Sequence, residues 1–149
     1  MLVSEVMTRK VITFSPSDSF SKVIKLLLSH KISGAPVVNK KGKVVGVISE
    51  KDLFYKLFPS EKKFYKDIKY YMNHENLVKE SKKVYRLKVK NLMSRNIISV
   101  RSDDHILTAC SLILIHNIRR LPVIDDGKLV GIVTTNNIYK NFLLSLAKK

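Results

Sequence analysis

"GVISEKDL", residues 46–53, and "GIVTTNNI", residues 131–138, decide the fold. In each, a β-branched run ends at a hydroxyl residue, Ser49 or Thr134, and an apolar pattern resumes at Leu53 or Ile138. The first part reads as the close of a buried strand and the second as the opening of a helix. Between them stand Ser49 and Asp52 in one copy, and Thr134 and Asn137 in the other.

Working outward, the likeness extends well beyond these eight residues. Residues 6–53, "VMTRKVITFSPSDSFSKVIKLLLSHKISGAPVVNKKGKVVGVISEKDL", align with 92–138, "LMSRNIISVRSDDHILTACSLILIHNIRRLPVIDDGKLVGIVTTNNI", with one deletion opposite Lys41. Fourteen of the 47 aligned pairs are identical, among them Met7/Met93, His30/His116, Pro36/Pro122 and Gly46/Gly131. The chain is a duplication, and a fold must be sought for one unit used twice.

Each unit has the same plan. A short extended start, "VITF" or "IISV", precedes a helix whose expected N-caps are Asp18 and Asp104. Phe20, Val23, Ile24 and Leu27 fall at helical spacing, as do Ile106, Ala109, Cys110 and Ile113. The helices should end near Lys31 and Asn117. Two strand-like runs follow, "APVV" and "KVVGVIS" in the first copy, joined by a hairpin turn that carries Gly42; the second copy turns at Gly127. A second helix is expected from Asp52 or Asn137. The fold class is therefore α/β, more exactly α+β, with the order strand, helix, strand, strand, helix in each of two tandem repeats.

The expected domains are repeat one at 1–58, a helical charged insert at 59–86 and repeat two at 87–149. The insert, "PSEKKFYKDIKYYMNHENLVKESKKVYR", has no glycine and holds Tyr65, Tyr70, Tyr71 and Tyr85. It is expected to extend the second helix of repeat one and add a further helix, and it is a candidate output surface.

The chain has 28 Lys+Arg against 12 Asp+Glu, a net charge of +16. Such a balance suits polyanions, phosphate ligands or anionic lipid. The excess is spread along the chain, +6 in 1–58, +4 in 59–86 and +6 in 87–149, so no basic arm or tail stands out. No stretch approaches the roughly 18 apolar residues of a membrane span, so no membrane role is expected. The opening "MLVSEVMTRKV" lacks the apolar run of a secretory signal, and the single cysteine, Cys110, has no partner for an internal disulfide. A reducing cytoplasm is the expected location.

Catalytic signatures are missing from the sequence. There is no GxxxxGK[ST] loop and no GxGxxG, and His30, His74, His105 and His116 show no metal-binding spacing. No enzyme activity and no metal site are expected. A strand end that meets a helix start does present free backbone N–H groups and the positive end of a helix dipole. There Ser49 can meet a phosphate oxygen, and Asp52 can accept from vicinal ribose hydroxyls. The same two residues read equally well as a helix cap.

Taken with the "VMTRKVIT" and "LMSRNIIS" openings, "ISGAPVVNKKGKVVGVISEKDL" and "IRRLPVIDDGKLVGIVTTNNI" resemble the CBS domain, named after cystathionine β-synthase. The likeness covers roughly residues 3–57 and 89–145. It implies a stand-alone CBS pair, or Bateman module: two repeats related by a pseudo-twofold axis, commonly a homodimer, binding adenine nucleotides or other adenosyl compounds in clefts between the repeats. The ligand would be regulatory, AMP, ADP, ATP or S-adenosylmethionine, with no catalytic cofactor, and the module would act on a partner protein that the sequence does not name.

Carried over by motif, one cleft would join Val47, Ser49 and Asp52 to Ile98, Ser99, Ile118, Arg119 and Arg120, with the arginines reaching phosphates. The other would join Ile132, Thr134, Asn136 and Asn137 to Thr8, Ile12, Thr13, Ile32, Ser33 and Gly34. In that second cleft Asn137 replaces the usual acid, which weakens a ribose contact by about 1 kcal/mol, or about five-fold. Two other functions stay open from sequence. One is nucleic-acid binding through the basic surface and the insert's tyrosines; the other is a structural dimerisation module with empty clefts.

Overall fold

The computed structural model describes residues 1–148. In chain order the elements are α1 (Val3–Val6), α2 (Phe20–Ser29), β1 (Gly34–Val38), β2 (Val44–Ser49) and α3 (Glu50–Leu57). The insert supplies α4 (Glu61–Lys66), α5 (Ile68–Met72) and α6 (His74–Tyr85). The second repeat follows with α7 (Val89–Leu92), α8 (Ile106–His116), β3 (Arg120–Asp125), β4 (Lys128–Thr134) and α9 (Thr135–Ala147). Each repeat thus contributes a two-stranded hairpin between two helices.

The chain divides into two compact units, and the division exchanges the segments that open each repeat. One unit comprises residues 1–12, 41–44 and 97–149; the other comprises 13–40 and 45–96. In the first, Val3, Val6 and Met7 of the chain start pack into a core with Val100, Ile106, Ala109, Ile113, Leu121, Val123 and Val133. In the second, Val89 and Leu92 take the equivalent places beside Phe14, Phe20, Val23, Leu27, Val37, Ile48 and Leu53. Backbone hydrogen bonds seat both: Val3 N–H to the Asp104 carbonyl at 2.9 Å, and Val89 N–H to the Asp18 carbonyl at 2.9 Å.

The expected opening strands are reduced to single parallel bridges, Phe14 with Val37 and Val100 with Val123. Phe14 and Val100 are the buried residues of the two runs, and the residue before each, Thr13 or Ser99, is exposed. The β3–β4 hairpin runs antiparallel from Arg120↔Thr134 to Asp125↔Lys128, with a bulge between Val123 and Ile124. Asp126 and Gly127 carry φ of 48° and 77°, the pair of positive values that a two-residue turn needs to match strand twist.

Three local expectations are corrected. Asp18 and Asp104 are not the N-caps; the caps are Ser19, which accepts from Lys22 N–H, and His105, which accepts from Leu107 N–H. The aspartates instead close the preceding turns, accepting from the N–H of Ser15 and of Arg101, each at 2.8 Å. The second helices begin at Glu50 and Thr135, two residues before Asp52 and Asn137, because Ser49 and Thr134 hold the cap positions. The insert does not extend α3. Phe58 is extended at φ −113°, ψ 148°, as a residue before proline must be, and the helix stops there.

Beyond Pro59 the insert is three short helices, each started by a side-chain cap: Ser60, Asp67 and Asn73. The last of them, α6, is tied to the first repeat. Val84 packs on the core of that unit, and the Tyr85 ring lies 5.3 Å from the Phe20 ring.

Candidate functional site

Residue 46 shows why the strand end is built as it is. A Cβ on Gly46 would sit 2.7 Å from Met93 Sδ and 2.8 Å from the Ser94 carbonyl oxygen; a Cβ on Gly131 would sit 2.6 Å from Met7 Sδ. At Gly46 a backbone oxygen stands in the way of any Cβ, whereas at Gly131 the atom nearest is a methionine sulfur. This close approach lets the Met-hydroxyl segment of the exchanged strip pair with the strand beyond the glycine. Val47 and Ser94 exchange two backbone hydrogen bonds, at 3.0 and 2.9 Å, and Thr8 and Ile132 exchange two at 2.9 Å.

At the first corner, Asp52 Oδ2 accepts from the Ser49 N–H at 2.8 Å and from the Ser49 hydroxyl at 3.0 Å. Both bonds end on one oxygen, which leaves Oδ1 for a further donor. The half-buried carboxylate is held by the chain and still able to accept. Glu50 N–H donates to the Ser33 carbonyl at 2.9 Å, so Ile32, Ser33 and Gly34 stand beside this corner. Glu50 and Asp52 put two acids in the first turn of α3.

The second corner repeats the geometry with different charge. Asn137 Oδ1 accepts from the Thr134 N–H at 2.9 Å and from its hydroxyl at 2.8 Å. The Asn137 amide NH2 also donates to Thr8 Oγ1 at 3.4 Å, a contact the carboxylate of Asp52 has no proton to make. Thr135 N–H donates to the Arg119 carbonyl at 3.0 Å, and Arg120 is registered opposite Thr134 across the hairpin. No acid lies in the first turn of α9.

Of the expected ligand residues, Thr13, Ile32, Ser33, Gly34, Val47, Ser49 and Asp52 belong to the unit built on the first hairpin. Thr8, Ile12, Ile98, Ser99, Ile118, Arg119, Arg120, Ile132, Thr134, Asn136 and Asn137 belong to the other. Within a unit, the structure brings Ser33 and Gly34 to Ser49, and Arg119, Arg120 and Thr8 to Thr134 and Asn137. Ile32 lies against one core, and Ile98 and Ile118 against the other. Thr8, Thr13, Ser99, Arg119 and Asn136 are exposed.

Sequence reasoning missed Ser94, whose backbone brackets Val47, although its alignment with Thr8 across the repeat carried the signal. It also missed Glu50, whose N–H joins the two strand ends of the first corner.

Two hairpin-and-helix units, each with a glycine-permitted corner closed by a hydroxyl and a carboxylate or amide, define a tandem repeat module. The CBS domain family model matches residues 3–58 and 89–143. The chain belongs to the CBS domain family and carries a CBS pair. It is 35% identical to protein MJ1426 of Methanocaldococcus jannaschii over 150 residues, 93% of this chain and 89% of that protein. It is 33% identical to the chloroplastic CBS domain-containing protein CBSX2 of Arabidopsis thaliana, covering 84% of this chain and 56% of that one.

Among solved structures, CBSX2 in complex with AMP superposes with a TM-score of 0.73 at 32% identity, covering 96% of both chains. The CBS domain pair of MJ0100 in complex with 5′-methylthioadenosine and S-adenosyl-L-methionine superposes with a TM-score of 0.73 at 25% identity, over 97% of this chain and 98% of that one. No helix among the described residues is long and apolar enough to cross a membrane.

Proposed function

We propose that the protein is a regulatory module that binds an adenosyl ligand and transmits its binding to a partner protein. The observation that carries this reading is the Ser49–Asp52 corner: a carboxylate fixed by two hydrogen bonds on one oxygen, with the other oxygen open to a ribose diol. A structure of similar fold at 32% identity holds AMP, and another at 25% holds two adenosyl compounds, which supports the ligand class. The ligand residues are those named above in the two units. Regulation follows from differential binding, since a ligand shifts an equilibrium only by its preference for one state.

The insert's side chains speak against a nucleic-acid role. A stacking platform needs free aromatic faces beside cations. Tyr85 instead leans on Phe20, Tyr70 and Tyr71 are half-buried edge to face, and the Tyr70 hydroxyl donates to Glu80 at 2.9 Å. Tyr65 and Tyr85 are the exposed rings among the insert's tyrosines, and Tyr85 has Phe20 as its ring neighbour.

Calorimetric titration with AMP, ATP and S-adenosylmethionine, beside a short RNA and a short DNA at two salt concentrations, tests the reading. Saturable binding of at least one adenosyl compound is expected, with little dependence on salt compared with polynucleotides. Strongly salt-dependent RNA or DNA binding with no mononucleotide heat would overturn it.

A further inference from the structure

We infer that the exposed face of the insert, on α4 and α5 with the groove along α6, is a docking surface for an acidic protein segment with an apolar centre. This deepens the reading above by naming the kind of partner, and it rests on that reading for the regulatory role.

The insert separates its charges by use. Its four acids sit where the helices use them. Glu61 and Glu75 lie in the first turns of α4 and α6, where they offset the positive helix ends. Asp67 caps α5 by accepting from the Tyr70 N–H at 3.2 Å, and Glu80 accepts from the Tyr70 hydroxyl and from the Lys83 ammonium. The cations are left over. Among the described residues the insert's ion pair joins Lys83 to Glu80, while Lys62, Lys66, Lys69, Lys79 and Lys82 are exposed without an ion pair or a side-chain hydrogen bond.

Set among these lysines are side chains that a fold ordinarily covers. Tyr65 and Met72 are 65% and 73% exposed, and Ile68 is exposed as well. Ile68 and Met72 stand one turn apart on the same face of α5. Along α6 a groove of about 280 Å³ is lined by His74, Glu75, Val78, Lys79 and Lys82, an apolar seat beside two ammonium groups. Tyrosine and methionine are side chains that interfaces concentrate, and the surrounding lysines complement carboxylates.

A protein segment suits this face better than a lipid or a nucleic acid. Asp67 separates Tyr65 from Ile68, and its carboxylate would be driven against lipid phosphates if α4 and α5 lay in a headgroup layer. Ile68 and Met72 offer no ring on which a base could stack. The face is also preorganised, which lowers the cost of docking. The Asn76 amide donates to the Tyr70 carbonyl at 3.1 Å, and Val84 packs on the core that holds Leu53 of α3. The insert is thereby continuous with the unit that carries the Ser49–Asp52 corner.

Fluorescence anisotropy of the full chain with a labelled synthetic peptide of Glu, Leu and Ala tests the surface. The same peptide with Ser in place of Leu, vesicles containing phosphatidylserine, and a short RNA run beside it. The variants are Lys62→Gln/Lys66→Gln/Lys69→Gln, Met72→Ser, and a charge-matched control, Lys25→Gln/Lys40→Gln/Lys128→Gln, whose lysines are exposed elsewhere. Circular dichroism checks each fold, and the single variant keeps the test alive should a triple variant misfold. The Leu peptide is expected to bind saturably, about ten-fold more weakly to the insert triple variant and about five-fold more weakly to Met72→Ser. The control variant is expected to bind within about two-fold of wild type.

No binding of the Leu peptide, equal weakening in the control, or equal affinity for the Leu and Ser peptides would overturn the docking surface. Vesicle or RNA binding that the insert triple variant loses, without peptide binding, would assign the face to lipid or nucleic acid instead. Calorimetry with AMP and S-adenosylmethionine on the same samples separates the two readings. Peptide binding with no adenosyl heat would overturn the regulatory reading while the surface stands, and adenosyl heat without peptide binding would do the reverse.

Discussion

Single atoms separate the roles at the two corners. At Gly46 an added methyl group would meet the Ser94 carbonyl, a backbone atom, at 2.8 Å, besides the Met93 sulfur. At Gly131 its nearest neighbour is the Met7 sulfur, at the flexible end of a side chain, while the Thr8 carbonyl stands back at 3.1 Å. Gly46→Ala is therefore expected to cost more than Gly131→Ala, with the first near the upper part of the roughly 1–3 kcal/mol range for overpacking. Urea unfolding of the two variants checks the order; equal costs would show that the carbonyl is not the obstacle. Asp52 serves both the fold and the proposed ligand, and substitution can part these roles. Asp52→Asn keeps an oxygen for the Ser49 N–H and hydroxyl but loses the charge, so it should change stability little. Asp52→Ala removes both bonds and should cost about 1 kcal/mol, as loss of a helix cap does. Denaturant midpoints of both variants, measured without ligand, check the difference.

At the scale of elements, much of the architecture was legible because the duplication lets each half confirm the other. Hairpin turns, strand ends and apolar helix faces all appear twice, and Gly42 and Gly127 both adopt φ of 77°. The caps were misread because Asp18 and Ser19, or Asp104 and His105, are adjacent acceptors, and sequence does not say which side chain turns forward. The answer lay in the turns: Asp18 N–H donates to the Ser15 carbonyl while its carboxylate accepts from Ser15 N–H, and that reciprocal closure consumes it. The insert was harder, since helix propensity does not reveal that Asp67 and Asn73 would each break a helical run by capping the next. Its helices α5 and α6 are joined by the Tyr70–Glu80 bond. That hydrogen bond, then the nearby Lys83, holds the Glu80 carboxyl below the usual carboxylate range, while the same bond raises the Tyr70 phenol. A carboxyl with a lowered folded-state value stabilises the fold above its unfolded value and loses that contribution as pH falls through the folded one. Tyr70→Phe should therefore narrow the stability gap between neutral and acidic solution. A melting temperature followed downward through the carboxylate range, in wild type and Tyr70→Phe, measures it; identical profiles would show that the bond carries no linkage.

For the molecule as a whole, the exchange of opening strips is the organising fact. Residues 3–7 complete the core of the unit that holds the second hairpin, and residues 89–92 complete the other. Sequence alignment placed each strip with the repeat it precedes, because the chain is contiguous there and packing partners are not written in order. Val3 is fully buried, so Val3→Ala should cost about 2 kcal/mol. Its amide chemical-shift changes should cluster around Leu121 and Val133 and leave Val23 and Ile48 unmoved. The central claim, that the glycine-permitted corners hold an adenosyl ligand, is tested most directly by melting the protein with AMP and with S-adenosylmethionine. Wild type, Asp52→Asn and Asn137→Ala should be compared at about a hundred times the dissociation constant, where binding adds about 2.7 kcal/mol. The expected result is stabilisation of the wild type by at least one of the two compounds, diminished by a corner substitution; no shift with either compound, or a shift that both variants retain in full, would contradict the account.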